Sequence, residues 1–402
     1  MFELKPMLSA LWRNKVAALL IAVQLALTLA IVGNASVIVD DRQDRIARPT
    51  GMAVEDIVSV TFHPTNSDFD LSGAVQADLD MIRRIPGVIN ATHTSHIPIS
   101  GSGSSSDFYR EPNQNSLDGE TANIYYTGPE FIEALGIKLI AGRNFTPAEM
   151  KIFNPDDHYT SPVTIVTQQF ADVMFPDGNA LGQFLYTGKN DPIEIVGIVE
   201  RHLGAWVTWP LAGNVAFYPA LMDISFGRYV IRAEPGKRDQ VLKQVEEKLA
   251  QRDSQRVIHI KTLSEEFDEG YAKDNLMVKV LSAVIAMLTF IIALGIVGLT
   301  FFWINQRRKQ IGVRRALGAT RANISRYFLL ENCLIAGTGI AIGMAAAQIG
   351  NHFMVSNFSQ PALPLSVMLA CSLILLAVSL AAALVPALRA ANISPATATR
   401  SV

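Results

Sequence analysis

The stretch IGVRRALGAT, Ile311 to Thr320, decides how this chain is read. It lies in the middle of a segment from Asn305 to Tyr327 that carries Arg307, Arg308, Lys309, Arg314, Arg315, Arg321 and Arg326 and no acidic residue. Long apolar runs flank it, Val278–Ile304 and Phe328–Gly350. Lys and Arg are retained on the cytoplasmic side during insertion, so a basic loop this short between two spans belongs inside. Read as one helix, Val313, Leu317, Thr320, Ile324 and Phe328 fall on one side and most of the arginines on another. Gly312 and Gly318 are expected to break it into a short amphipathic piece with turns at both ends. Two readings stand at this point. The charges only set topology, or the piece lies under the membrane and docks a cytoplasmic partner.

Composition frames both. The chain has 402 residues, of which 50% are hydrophobic and 17% charged. That is too apolar for an ordinary soluble protein and too charged for one embedded throughout. Four apolar runs are long enough to cross a bilayer: 16–39, 278–304, 328–350 and 365–388. Between the first two lie residues 40–277, enough for one large or two small domains. The net charge of −2 conceals a split, because 34 of the 36 acidic residues and only 21 of the 34 basic ones fall in that interval. The basic excess elsewhere places both termini and the 305–327 segment in the cytoplasm and residues 40–277 outside. The two cysteines, Cys333 and Cys371, sit in the last two runs, so the exported region is expected to fold without disulfides.

Residues 1–15 read as an interfacial amphipathic helix, with Phe2, Leu4, Met7, Leu8, Leu11 and Trp12 among Lys5 and Arg13. Gly33-Asn34-Ala35 offers small residues suited to signal cleavage, but a signal core runs only about 7–15 residues. The run here is longer, and a retained anchor is expected. Within 40–277 the periodicity predicts strands at 57–62, 88–94, 124–126, 163–167, 193–199, 229–232 and 257–261. Helices are predicted at 71–84, 130–135, 168–175, 235–251 and 262–274, the last with Thr262 and Glu265 at capping-box spacing. The serine-rich Ser100–Ser106 reads as a flexible loop. The order βαβ, long insertion, βαβ suggests one subdomain built from the flanks and a second from about 100–223. The fold class expected is thus a membrane protein with four transmembrane helices and a large α/β extracytoplasmic domain between the first and second.

IGVRRALGAT followed by an apolar, glycine-rich span resembles the signature of FtsX/MacB-type permeases of ABC transporters. IPGV (Ile85–Val88), GPEFIEALGIKLIAGRNF (Gly128–Phe145), FPDGNALGQ (Phe175–Gln183) and IEIVGIV (Ile193–Val199) resemble the MacB-like periplasmic core, and PALRAANISPATATR (Pro386–Arg400) the ending after the last span. Each phrase is weak alone; their order and spacing carry the match. The resemblance implies a MacB-like periplasmic core over 40–277 and an FtsX-like permease domain over 278–402, with a cytoplasmic coupling segment at 305–327, a short external loop at 351–364 and a cytoplasmic tail at 389–402. It implies that Ile311, Gly312, Val313, Arg314, Arg315, Ala316, Leu317, Gly318, Ala319 and Thr320 form the coupling helix seated on an ABC ATPase subunit. It also implies that ATP and Mg²⁺ are bound by that partner, that a second permease copy or a sister permease pairs with this one, and that the membrane is the bacterial inner membrane. A periplasmic adaptor and an outer-membrane channel are further expected partners; nucleic acid is not.

Chemistry of its own is sparse in the chain. The closest approach to a phosphate loop, Gly182 to Lys189, has the wrong glycine spacing and Asn190 where Ser or Thr is needed. No GxSxG elbow occurs. His93 with His96, and His158 beside Asp156 and Asp157, are poorly spaced for joint metal ligation. No enzyme activity and no bound metal are expected. Glu331 is the one acidic residue after Gln306, and an ionisable group near the inner end of a span asks for a function. The expectation is that it pairs with an arginine of the preceding segment and ties that segment to the span; the alternative is a carboxylate reaching back to interfacial water. Gly339 and Gly343, with Ala347 a further step along, have GxxxG spacing and serve close helix approach, between copies or within one subunit. Trp206, Trp209, Phe217 and Tyr218 read as core packing, with an exposed partner-binding patch as the alternative. The function expected is mechanical: ATP-driven closure of the partner pushes on Ile311–Thr320, and the outer domain opens and closes on substrate for export. A non-transporting regulator of a periplasmic or cell-wall partner, or a lipoprotein-release permease, is the alternative.

Overall fold

The first described helix, α1 (Lys15–Ile46), runs for 32 residues and outlasts its apolar run, which ends at Val39. At about 1.5 Å per residue it is longer than the ~30 Å hydrocarbon layer. Asp41 and Arg45, paired at 2.9 Å one turn apart, carry the helix on past the apolar residues. The computed structural model describes residues 15–66, 69–113, 119–157, 159–188, 190–224, 226–252 and 255–393. The interfacial helix expected at the amino terminus, His158, Lys189 and most of the Pro386–Arg400 tail lie outside the described residues. The chain divides into two units, Met1–Ile46 with Asp274–Val402, and Ala47–Lys273.

The second unit begins with β1 (Ile57–Pro64), α2 (Leu71–Arg83) and β2 (Val88–His93) and closes with β11 (Gly227–Ala233), α5 (Arg238–Arg252) and β12 (Arg256–Thr262). These four strands form one antiparallel sheet in the order β12-β1-β11-β2, a split βαβ arrangement. Its helices lay Val75, Leu79 and Ile82, and Val241, Val245 and Leu249, on the same face, at the three-and-four spacing that predicts them. Asp70 caps α2 by accepting from the Gly73 amide. Behind that face Asp78 is fully buried, accepting from the Tyr229 hydroxyl at 2.9 Å and paired with Arg252 and Arg256.

Everything between β2 and β11 feeds a second sheet. It contains β3 (Ser104–Phe108), β4 (Glu120–Thr127), β5 (Leu139–Gly142), β6 (Lys151–Phe153), β7 (Val163–Thr167), β8 (Phe184–Tyr186), β9 (Pro192–Val199) and β10 (Val215–Met222), with short helices α3 (Phe131–Leu135) and α4 (Gln168–Met174). The main path is β3-β4-β10-β7-β9-β5, with β6 on β10 and β8 on β9. Ile57, Val230 and Leu263 from the first sheet's segments join Phe131, Ile165, Val199 and Phe217 in a single core cluster, so the two sheets share a hydrophobic interior.

Two local expectations are corrected, and the core reading of the aromatic cluster holds for Phe217 and Tyr218. The serine-rich loop ends in β3: Ser104, Ser105 and Ser106 pair antiparallel with β4, and Phe108 at the strand's end is fully buried. An edge strand needs backbone partners and one apolar anchor, so polar composition hides it. The aromatic pair Phe217–Tyr218 belongs to β10, between β4 and β7, with both side chains buried. Trp206 and Trp209 stay half-buried, edge to face at 6.0 Å. The helix expected over 262–274 is interrupted: α6 (Leu263–Gly270) carries the Thr262–Glu265 capping box, Tyr271 leaves helical geometry with its ring buried, and α7 (Ala272–Gln306) starts afresh.

In the first unit α7 is followed by α8 (Arg308–Ala316), α9 (Arg321–Phe358) and α10 (Leu365–Ala391). Helices α1, α7, α9 and α10 are long and apolar enough to cross a membrane. Ile21, Leu25 and Leu29 of α1, Ile335 and Ile340 of α9, and Cys371 and Leu375 of α10 form their common core.

Candidate coupling segment and its anchors

Helix α8 buries Ile311 and Gly312, with Ile311 seated in a cluster of Ile304, Ile324, Phe328, Ala387, Ala390 and Ala391. Gly312 therefore lies inside the helix and does not break it. Gly318 does end it, at φ +95°, where only glycine sits without strain. The Ala319 amide donates to the Arg314 carbonyl at 3.0 Å and the Gly318 amide to the Arg315 carbonyl at 3.1 Å, the paired bonds of a Schellman motif. Thr320 then caps α9 by accepting from the Asn323 amide at 3.2 Å. This reversal undoes the single-helix reading of the face. Ile324 and Phe328 point into the cluster, whereas Val313 is 49% and Leu317 83% exposed.

The arginines divide into anchors and free surface. Arg315 Nη1 donates to the carbonyls of Ala391 (2.7 Å) and Ile393 (3.2 Å), pinning α8 to the end of α10. Arg307, between α7 and α8, places one Nη1 at 2.9 Å from both carboxylate oxygens of Glu331, which is 1% exposed. The carboxylate is thus held by an arginine of the preceding segment. Next to it Asn332 Nδ2 donates to Ser379 Oγ at 2.9 Å, joining α9 to α10. Arg314 is exposed and lies over the Tyr327 ring at 4.8 Å. Of the ten residues from Ile311 to Thr320, Val313, Arg314, Ala316, Leu317, Gly318 and Thr320 face outward, an apolar and cationic surface on a rigidly braced turn.

The small residues of α9 face α1 within the same subunit. A Cβ added at Gly339 would meet Ala22 O at 2.7 Å, and one at Gly343 would meet Ala26 Cα at 2.9 Å. Ala347 is fully buried and its carbonyl accepts from Asn34 Nδ2 at 3.2 Å. These contacts account for the spacing without a second copy.

The histidine pairing does not form a metal site. His93 Nε2 lies 3.0 Å from the Ala220 carbonyl and His96 Nε2 3.0 Å from Ser104 Oγ. Burial holds both rings far below the usual histidine range, at about 4, and so neutral. Among the described residues no three His, Cys, Asp or Glu side chains converge on a metal-sized site. Within the stretch read for a phosphate loop, β8 (Phe184–Tyr186) pairs antiparallel with β9. Sequence reading missed two features. His202 is fully buried between the rings of Tyr125 and Phe217, and Arg42 of α1 pairs with Asp274 of α7 at 2.8 Å. A charged residue just beyond each apolar run was the available signal for the second.

Two family profiles cover this architecture, one described as MacB-like periplasmic core domain over residues 16–248 and one as FtsX-like permease C-terminal over residues 282–395. The chain belongs to the MacB/FtsX-like permease family. It is 26% identical over 288 residues to the macrolide export ATP-binding/permease protein MacB of Neisseria meningitidis, covering 68% of this chain and 43% of that protein. To MacB 1/2 of Paracoccus denitrificans it is 26% identical over 286 residues, covering 68% and 41%. The chain therefore spans less than half the length of these curated relatives. Among solved structures it is similar to the periplasmic region of MacB from Actinobacillus actinomycetemcomitans, at 16% identity and a TM-score of 0.35, over 54% of this chain and 92% of that one. In this MacB/FtsX-like chain the Ile311–Thr320 segment falls within the FtsX-like match and β1 to β11 within the MacB-like match.

Proposed function

We propose that this chain is the permease subunit of a MacB-type ABC transporter of the bacterial inner membrane. It binds no nucleotide itself; a separate ATPase holds ATP and Mg²⁺ and seats on Ile311–Thr320. Residues 40–277 lie outside, both termini lie inside, and movements of the outer domain drive export of substrate collected there. A second permease, copy or sister, completes the pair of ATPase seats, and a periplasmic adaptor and outer-membrane channel receive the substrate. The relatives' names, which join an ATP-binding part to a permease, support this assignment. The observation that carries it is the outward face of α8 and its turn. Leu317 and Val313 stand exposed beside Arg314, while Ile311, Arg315 and the nearby Arg307–Glu331 pair fix the turn from behind. An apolar anchor ringed by cationic side chains on a rigid element suits a protein partner. The spans carry few polar side chains, which favours collection from outside over a hydrophilic path through the bilayer.

The test is co-purification of the full chain with its cognate ATPase. Leu317→Asp and Arg314→Glu are expected to abolish the complex and to reduce ATPase stimulation at least about tenfold, as loss of a central anchor does. Arg315→Glu is the less clean variant, because Arg315 also holds α10. Retention of the complex and of its hydrolysis rate in both clean variants removes the assignment.

A further inference from the structure

Helix α7 is attached unevenly. Its inner half is packed, with Ile292, Ile296, Thr300, Trp303 and Ile304 buried at helical spacing against the bundle. From Asn275 to Ile291 no residue is buried. Ile285 and Leu288 touch the common core while remaining half-exposed, and Leu276, Val280, Met287 and Phe290 are exposed. That stretch covers roughly 25 Å of helix axis. At its inner end Gln24 Nε2 of α1 donates to the Ile291 carbonyl at 3.3 Å. At its outer end Arg42 Nη1 meets Asp274 Oδ1 at 2.8 Å, and Asp274 is only 4% exposed.

The pair is not fully satisfied. Among the described residues Asp274 Oδ2 and Arg42 Nε are buried without a hydrogen-bond partner, so desolvation offsets much of the Coulomb attraction. A buried pair of this kind adds little net stability against an apolar replacement, yet removing one partner strands the other charge. It therefore specifies one arrangement of α1 and α7 more than it strengthens it. The remaining contacts of the outer half are apolar and partial, and in a lipid surround they bring no hydrophobic driving force.

We propose that Arg42 and Asp274 are a positioning pair that holds the outer end of α7 against α1, and that separating them lets the outer half of α7 swing away on the hinge packed at Ile292 to Ile304. Under the export reading above, on which only its use rests, this sets the outer end of α7 where the chain passes from the outer domain into the membrane helices. The inner end stays fixed by Arg307 and Glu331.

Nitroxide labels at Leu276→Cys and Leu365→Cys report the position, in full-length chain in nanodiscs with Cys333 and Cys371 replaced by Ala. Both labelled positions are exposed. Pulsed dipolar spectroscopy is expected to give one narrow distance peak in the parent, lost in Asp274→Asn and in Arg42→Gln, and recovered in the exchanged pair Arg42→Asp with Asp274→Arg. A narrow peak surviving in both single variants overturns the proposal. So does failure to recover in an exchanged pair that elutes as a single species. Should the exchange not fold, Arg42→Lys, which keeps the charge, must keep the narrow peak or the proposal fails. Co-purification of the ATPase is scored on the same samples, and Asp274→Asn is expected to retain it. If the parent itself binds no ATPase, the export reading falls while the distance result stands.

Discussion

His202 shows what a single side chain does in the α/β unit. Its ring is fully buried, edge to face against Tyr125 and Phe217, and among the described residues neither nitrogen has a hydrogen-bond partner. Burial holds it at about 3 against an ordinary 6.5. The unfolded chain therefore takes up this proton first as the pH falls. Stability is fully present above about pH 6.5 and is lost on acidification until the folded ring also protonates near 3. The loss from one such fully buried group is on the order of a few kcal/mol. His93 adds a loss of the same sign. Thermal unfolding of the full chain, followed by tryptophan fluorescence, is expected at a lower Tm at about pH 5 than at neutrality. In His202→Phe that acid shift should shrink, with the neutral Tm no lower than the parent's. An unchanged acid shift in the variant would assign the sensitivity elsewhere. Nothing in the sequence separates His202 from the chain's other histidines. Its state is set by Tyr125, remote in the chain, and by Phe217, which the pairing of β4 with β10 in the second sheet sets beside it.

At the scale of elements, the pairing of α1 with α9 rests on absent side chains. Gly339 and Gly343 let the backbone of α9 approach Ala22 and Ala26 so closely that a Cβ has no room at either place. Gly343→Leu is expected to force the helices apart and to cost about 1–3 kcal/mol or more, read as a lower Tm of the detergent-solubilised chain. Gly337→Leu is the control, since that position faces open space. Equal effects at the two positions would argue against the α1–α9 contact. The glycine spacing was legible, but its partner was not, because a small-residue stripe is indifferent to whether the facing helix is its own or a neighbour's. The strands show the same divide. β7 and β9 are apolar runs and announce themselves, while β3 is a serine edge strand whose only apolar anchor is Phe108. The turn after α8 was half legible. Both Gly312 and Gly318 are expected to break the helix from sequence, but only Gly318 does, because Gly312 is buried inside α8.

For the whole molecule, the proposed topology places residues 40–277 outside and the Ile311–Thr320 segment inside. With Cys333 and Cys371 replaced, an impermeant maleimide applied to intact spheroplasts is expected to label Phe184→Cys, and to label Leu317→Cys only after permeabilisation; both positions are exposed. The reverse pattern inverts the topology and removes the ATPase seat. The four apolar runs, the basic segment between two of them and the acidic interval between the first two could be read directly, because hydrophobicity and charge are sums over neighbours in the chain. The sequence by itself therefore determined a membrane protein carrying a large α/β domain between its first and second spans, and the family to which it belongs. Which residues would stand free and which would be consumed as braces was decided only by tertiary structure. Arg314 and Arg315 are adjacent and chemically alike, yet one faces outward and the other is spent on the carbonyls of Ala391 and Ile393. Asp274 and Arg42 are 232 residues apart and form a pair. Burial, partner and backbone reversal are properties of what the fold brings alongside a residue, and no window along the chain contains them.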